Sequence, residues 1–431
     1  MFYDKAEALS RDDLSRLQFA RLRTTLERAQ HSRFYSSLFK THNITPDAIR
    51  TLDDVRRLPF TTKKDLRASY PDGLNAVPMD RMVRVHASSG TTGNPTILYY
   101  TASDLSWWAS LTARCMHMVG IRAHDVFQNT PGYGLFTGGL GMHYGAERLG
   151  CVTIPMGAGN TLRQLKFIRD LKVTAIHIIP SYALYLAAAC EKQGFSPKDL
   201  GIRIALIGAE PYSEQTRRRL EDLFGFKAYN SYGLTEMNGP GVAFECPEQN
   251  GLHLWEDAYL LEIINPVTLE PAAPGEIGEL VLTTLCREGM PLIRYRTRDL
   301  TRILPGPCPC GRHHVRMDRI AGRSDDLIII KGVNIYPMQI EAALMELPEV
   351  GANYLIELTR ENSIDQMRVK VEIKDEFFVE DMRALAKLKD KIARRLRDEI
   401  LVTPKVDLVE HNSLGQETGK AQRVLDNRGK D

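Results

Sequence analysis

No apolar run in this chain approaches the ~20 residues that a membrane-spanning helix needs. Charge of one sign is missing as well. The 56 basic and 54 acidic side chains leave a net +2, which supplies no pull toward nucleic acid or an acidic membrane surface. The opening MFYDKAEALSRDDL lacks the basic stretch followed by an apolar one that directs secretion, so the expectation is a cytoplasmic chain. An even set of cysteines is absent too, and the odd count of seven argues against a disulfide framework. Cys115, Cys151, Cys190 and Cys286 sit in apolar or helical surroundings and read as reduced core thiols. There is no internal repeat and no low-complexity tract. With 431 residues, 43% of them hydrophobic, the chain can bury an ample core and suits two or more domains.

What is present is a glycine- and hydroxyl-rich loop, Ser88, Ser89, Gly90, Thr91, Thr92 and Gly93, followed by Asn94, Pro95 and Thr96. It lies between two strand-like runs, 82–86 (MVRVH) and 96–101 (TILYYT). Glycines let backbone N–H groups turn tightly toward an anion, and four hydroxyls add neutral donors. Such a loop suits a polyphosphate. It is not a Walker loop, because no Gly-Lys-Ser/Thr closes it and a strand follows. A plain hairpin turn would have the same composition.

The first 45 residues read as helix, with Ser10 and Asp13 at its start and Leu14, Leu17, Leu22 and Leu26 as an apolar face. Ser103 and Asp104 open a second helix running to about Val119, with Trp107 and Trp108 as packing groups. Strands and helices then alternate: strand 151–155, helix 162–171, strand 175–179, helix 182–192, strand 202–207, helix 213–224 capped by Ser213. That rhythm predicts an α/β layer with parallel strands. Beyond Glu245 the strand-like runs 259–265 and 278–284 suggest a more antiparallel unit. A boundary near 323–326 introduces a small α+β segment: strand 327–331, helix 338–346, strands 354–358 and 368–373, a charged helix 380–401 and strand 406–409.

Further stretches carry chemistry. Gly208, Ala209, Glu210 and Pro211 follow the run IRIALI, at the carboxyl end of a predicted parallel strand, where α/β folds hold ligands and small residues leave room for a flat ring. Tyr232, Gly233, Leu234, Thr235 and Glu236 join an aromatic ring, a glycine, a hydroxyl and a carboxylate suited to magnesium. Asp299, in YRTRD, suits a pair of ribose hydroxyls. The charged run from Arg319 through Arg323 and Asp325 to Asp326 has the make-up of a hinge. Lys420, in GQETGKAQRV, follows a glycine in a polar segment. Each of these has an ordinary alternative as a turn, a surface loop or a solvated lysine.

Cys308 and Cys310 have a Cys-x-Cys spacing that brings two thiolates to one ion. Cys246 and His253 would complete a tetrahedral Cys₃His zinc site of structural type, with His313 and His314 as rival fourth ligands.

Taken together and in this order, the motifs resemble the adenylate-forming acyl-CoA synthetases, and within them the phenylacetate-CoA ligases. SSGTTGNPT with Thr96 at its end, YGLFTGGLG followed by HYGAERLG, and the Pro180-Ser181-Tyr182 triplet all fit that branch; SLGQETGK departs from the more usual Ser-Gly-Lys ending. The resemblance implies a large N-terminal adenylation domain over 1–324 and a small mobile C-terminal domain over 325–431. It also implies an ATP-dependent ligase that converts an aryl acid, phenylacetate first, to acyl-AMP and then to its coenzyme A thioester. By the same resemblance Ser88 to Thr96 hold the β- and γ-phosphates and Glu236 ligates Mg²⁺, with Thr235 near the α-phosphate. Ala209, Glu210 and Pro211 flank adenine, Tyr232 stacks on it, and Asp299 and Arg323 bond the ribose. Lys420 bridges carboxylate and phosphate, Asp325 is the hinge, Gly332 faces the coenzyme A tunnel, and Tyr133, Phe136 and Gly208 line the acid pocket. A homodimer is the family's implied assembly. The alternatives are an adenylyltransferase that joins AMP to a deazaflavin coenzyme, and a nucleotide-binding protein without catalysis.

Overall fold

A computed structural model describes residues 2–88, 95–330, 333–361, 364–378, 381–411, 413–414 and 423–428. Ser89, Gly90, Thr91, Thr92, Gly93, Gly332 and Lys420 lie outside the described residues. The fold is mixed α/β, and its internal contacts group the chain into two compact units. Among the described residues, no helix is long and apolar enough to cross a membrane.

The first unit comprises Met1–Gly157, Thr174–His177 and Tyr229–Ile320. Its leading helix, Arg11–Ala29, is capped by Ser10, whose hydroxyl accepts the Asp13 N–H. The expected single helix over 45 residues is broken. Ser32 caps a new helix, Arg33–Thr41, by accepting from the Tyr35 N–H. The buried face also differs from the leucine pattern, since Gln18 turns inward with Leu14, Leu22 and Leu26 and donates to the Tyr259 carbonyl.

Met82–Ala87 and Ile97–Thr101 form an antiparallel hairpin with Val85 opposite Tyr99 and Ala87 opposite Ile97. The helix that follows is Ala102–Met118, and its cap sits two residues earlier than Ser103. Thr101 and Asp104 each accept the other's backbone N–H, the reciprocal capping box. Trp108 is buried on this helix and its indole N–H donates to the Pro240 carbonyl at 2.9 Å.

Val126–Asn129 pairs in parallel with Val152–Ile154 and with Ala175–Ile178, Gln128 lying opposite Ile176. Parallel pairing buries residues of both faces in the central strands, polar Gln128, Asn129 and His177 among them. Antiparallel pairing begins earlier than the point beyond Glu245 that the sequence suggested. Lys227–Leu234, Gly239–Glu245, Leu252–Leu254, Arg316–Met317 and Ile303–Leu304 pair antiparallel in that order. Tyr259–Ile264, Gly278–Thr284 and Tyr295–Thr301 form a second antiparallel set.

The second unit comprises Ala158–Val173, Ile178–Ala228 and Ala321–Asp431. It holds the fully buried strand Ile204–Gly208 and the helices Thr161–Asp170, Pro180–Lys192 and Glu214–Phe224. Ser213 caps the last of these, accepting from the Thr216 N–H. In its C-terminal part Val350–Glu361 and Ile364–Ile373 run antiparallel, flanked in parallel by Val424–Asp426 and Lys405–Val409. Helices Pro337–Met345 and Met382–Ile400 lay Ile340, Leu344, Ile392 and Leu396 on that sheet's apolar face. Elements that escaped the sequence pattern include the strand Val333–Ile335, which pairs back on Ile328–Ile330, the strand Val424–Asp426 and, in the first unit, the helix Thr137–Leu149 and the strands Val126–Asn129 and Gly239–Glu245.

Helix Glu214–Phe224 meets helix Pro337–Met345 through a buried carboxylate. Glu341 accepts the Ser213 N–H at 3.0 Å and the Thr216 hydroxyl at 2.5 Å, adding a carboxylate to the neutral Ser213 cap at that helix start.

Candidate active site

The strand Lys227–Leu234 ends in a single helical turn, Thr235–Met237, closed by Asn238 at φ +77°. Tyr232 lies near the strand end, buried, with its hydroxyl donating to Asp299 Oδ2 at 2.6 Å. Asp299 is itself buried in the strand Tyr295–Thr301, and its N–H is held by the Thr297 hydroxyl. Gly233 is dictated by close approach: a Cβ there would stand 1.8 Å from the Gly239 carbonyl oxygen across the bulged ladder.

Glu236 is 5% exposed, with its carboxylate 3.7 Å from the Lys63 ammonium. Its backbone carbonyl accepts from Arg287 Nη1 at 2.7 Å, while the Thr235 carbonyl accepts from the Tyr100 hydroxyl at 3.3 Å. The Thr235 hydroxyl meets that of Thr137 at 3.5 Å. Lys63, Arg287 and Tyr100 were not among the residues singled out in the sequence. Their contacts to this turn span 173 residues for Lys63, 135 for Tyr100 and 51 for Arg287, with no local motif to announce them.

Tyr133 sits in a polar chain. Asn129 Nδ2 donates to its hydroxyl at 2.9 Å, and His143 Nδ1 lies 3.3 Å from it. Behind Asn129, the His177 ring donates through Nδ1 to Asn129 Oδ1 at 2.8 Å. Complete burial pushes the His177 pKa down to about 3, so the ring is neutral and its Nδ1 carries the proton. Phe136 is half exposed just before the helix Thr137–Leu149. Ser88 donates its N–H to the Thr96 carbonyl at 3.0 Å, continuing the hairpin to the edge of the glycine-rich loop.

In the second unit, Gly208 ends the strand Ile204–Gly208 and Ala209 takes φ +70°, a left-handed conformation costly for a residue with a Cβ. Glu210 accepts the Ser181 N–H at 2.6 Å, at the start of helix Pro180–Lys192. Pro211 is exposed. Arg323 makes a two-pronged contact with Asp325, Nε to Oδ1 at 2.9 Å and Nη2 to Oδ2 at 3.0 Å. The residue read as a ribose ligand and the residue read as the hinge are thus bonded to each other.

Cys246, His253, Cys308 and Cys310 converge, with one ligand atom from each lying within 4.8 Å of all the others. Cys246 follows the strand Gly239–Glu245, and His253 sits on its antiparallel neighbour, Leu252–Leu254. Cys246 and Cys308 sulfurs are 3.6 Å apart, and Cys310 sulfur is 3.3 Å from His253 Nε2. A tetrahedral ion with Zn–S near 2.3 Å spaces its ligand atoms about 3.8 Å apart, so this set fits zinc with little movement. His253 Nδ1 donates to the His314 carbonyl at 3.1 Å, which turns the Nε2 lone pair toward the sulfurs. The rival histidines are engaged elsewhere. His314 Nδ1 accepts the Glu256 N–H and its Nε2 donates to the Ala6 carbonyl, while His313 Nδ1 bonds the Leu9 carbonyl. Hydrogen bonds from Cys246 and His253 drive the Cys310 thiol far below its ordinary value, and the same pairing raises Cys246.

The sequence profile of AMP-binding enzymes matches residues 23–286, and that of the AMP-binding enzyme C-terminal domain matches residues 332–428. The chain belongs to the AMP-binding enzyme family. This AMP-binding enzyme is 44% identical over 443 residues to a phenylacetate-coenzyme A ligase of Thermus thermophilus, covering 99% of this chain and 100% of that one. It is 43% identical to a phenylacetate-coenzyme A ligase of Escherichia coli, covering 99% and 97%. Its fold matches a crystal structure of 2-hydroxyisobutyryl-CoA ligase in the postadenylation state, with TM-score 0.93, 29% identity, and coverage of 98% and 92%. The chain is therefore an adenylate-forming, AMP-forming acid–CoA ligase. The two AMP-binding profiles leave 287–331 between them, a span that holds Asp299, Cys308, Cys310, Arg323 and Asp325.

Proposed function

We propose that this AMP-binding enzyme takes an aryl carboxylic acid, phenylacetate first among them, as its substrate. The observation that carries this is the relationship at 43–44% identity, over nearly the whole chain, to phenylacetate-coenzyme A ligases. A carboxylate oxygen attacks the α-phosphorus of ATP, the bond to pyrophosphate breaks, and acyl-AMP results. The coenzyme A thiolate then attacks the acyl carbon, and the bond to AMP breaks.

Two anions must meet in the first step, so positioning and charge neutralisation dominate. In our reading Ser88, Ser89, Gly90, Thr91, Thr92 and Gly93 cradle the β- and γ-phosphates, and Glu236 holds the magnesium that accompanies ATP. Its buried carboxylate, with the Lys63 ammonium 3.7 Å away, supports that role. The metal would supply charge neutralisation on the phosphates, and Thr235, the neighbour of Glu236 in the chain, would lie near the α-phosphate. Tyr232, Gly233, Ala209, Glu210 and Pro211 serve the adenine, Asp299 and Arg323 the ribose. Lys420 joins the attacking carboxylate to the phosphate. Asp325 is the pivot, Gly332 borders the coenzyme A path, and Tyr133, Phe136 and Gly208 shape the acid pocket. The four-residue Cys₃His cluster holds a structural zinc, since all four donors come from protein and none remains for substrate.

The deciding experiment is a panel of aryl and aliphatic acids, read by pyrophosphate release with and without coenzyme A. We expect arylacetic acids to be fastest and the thioester to form only with coenzyme A present. A preference for short aliphatic acids would overturn the substrate assignment.

A further inference from the structure

The buried arginine beside the Thr235–Glu236 turn has no place in the ligand roles above. Arg287 is 2% exposed. Its Nη1 donates to the Glu236 carbonyl at 2.7 Å, and its guanidinium lies over the Tyr100 ring, 4.7 Å from the ring centre. Its Nε and Nη2 have no hydrogen-bond partner among the described residues. An incompletely paired buried cation is expensive, and an apolar side chain of similar length would fill the space without that cost. Packing alone does not explain it.

Its surroundings form a closed circuit. The Tyr100 hydroxyl donates to the Thr235 carbonyl, so two consecutive carbonyls of the turn are gripped by two groups that also stack on each other. Tyr100 stacks on Trp108, with ring centres 5.7 Å apart. Trp108 in turn donates to the Pro240 carbonyl, just beyond the turn. The turn itself has no side-chain cap of its own. Pinning its carbonyls fixes the direction in which the Glu236 Cα–Cβ bond points.

We infer that Arg287, together with Tyr100, is a positioning residue that aims the Glu236 carboxylate at the divalent cation of the nucleotide. The inference rests on the reading of Glu236 as the magnesium ligand. An anchor released by even 1 Å costs on the order of a hundredfold in rate when the group it aims must meet a fixed partner.

The test uses the full chain with Arg287→Met, Arg287→Lys, Tyr100→Phe and Glu236→Gln. Each variant is checked by thermal unfolding. The readouts are magnesium titration of acid-dependent pyrophosphate exchange and AMP affinity without divalent cation. We expect Glu236→Gln and Arg287→Met to raise the half-saturating magnesium concentration and to slow exchange by on the order of tenfold to a hundredfold. Arg287→Lys, which keeps a cationic donor, recovers part of the loss, and AMP affinity without magnesium is unchanged. If Arg287→Met does not fold, Arg287→Lys and Tyr100→Phe carry the test through the same magnesium shift. A magnesium requirement shifted by Glu236→Gln but untouched in every folded Arg287 and Tyr100 variant overturns the positioning role alone. No shift in Glu236→Gln removes the magnesium reading and this inference with it.

Discussion

The Tyr232 hydroxyl donates to the Asp299 carboxylate across 2.6 Å, tying the strand end before the Thr235–Glu236 turn to the strand Tyr295–Thr301. Both side chains are buried, so the carboxylate depends on this and its other bonds to replace lost hydration. Hydrogen bonds to a charged group contribute about 1.5–3 kcal/mol, so Asp299→Ala should weaken AMP binding by roughly ten- to a hundredfold. Tyr232→Phe should mainly lower stability by a similar energy. Calorimetric titration with AMP and denaturant unfolding separate the two. Equal AMP affinity in Asp299→Ala and the parent would remove Asp299 from the nucleotide site.

The Cys₃His cluster predicts stoichiometric zinc in protein purified without chelator, measured by mass spectrometry of the metal. Cys246→Ser or Cys310→Ser should lose the zinc and lower the unfolding temperature, because a structural ion contributes folding energy directly. His314→Gln should keep the metal, since both nitrogens of that ring bond elsewhere.

Lys420→Ala should slow adenylation by on the order of 10²–10³-fold, the loss seen when a transition-state donor is removed. Thioester formation from supplied acyl-AMP should be spared. In Asp325→Pro the fixed φ of proline should hamper one half-reaction more than the other. Because Arg323 is bonded to Asp325, Asp325→Ala should also alter nucleotide affinity, which Asp325→Asn should partly retain. Equal survival of both half-reactions in Asp325→Pro would move the pivot elsewhere.

His177 gives a pH prediction. Its folded pKa, about 3, lies below the ordinary value of 6.5, so the unfolded chain binds the proton more readily. Its contribution to stability is full above about 6.5 and is lost as pH falls toward 3, by up to about 1.4 kcal/mol per pH unit. Chemical unfolding between pH 7 and pH 4 should show this slope, and His177→Gln should flatten it. An unchanged slope in a folded variant would contradict the assignment.

Ala209 at φ +70° carries a Cβ in a conformation that costs roughly 1–2 kcal/mol. Ala209→Gly should relieve that strain and raise the unfolding temperature, with the added chain entropy of glycine offsetting part of the gain. A drop in stability would show that the methyl group makes contacts worth more than the strain.

The α/β rhythm from 151 to 224 was legible because helix and strand periods differ and Ser213 sits where a cap belongs. Val333–Ile335 and Val424–Asp426 were not: each is too short to show a period, and the second forms only by pairing with the distant strand Val350–Glu361. Thr101 displaced Ser103 as cap because the preceding hairpin strand runs directly into the helix. The cysteines and His253 could be grouped from spacing and composition. The choice among histidines could not, because it depends on His314 reaching Ala6, 308 residues away. Arg287 was invisible for a related reason: in sequence an arginine reads as surface charge, and only the fold reveals one under an aromatic ring.

The C-terminal strand has a practical corollary for anyone handling the protein. Leu414 donates its N–H to Glu372, and Arg423 offers its carbonyl to Ile356, so these two described residues are each held to one of two neighbouring strands of one sheet. Deleting the chain from Arg423 onward would remove one of these anchors together with the strand Val424–Asp426, and would strip the sheet of the partner that lies beside Val350–Glu361.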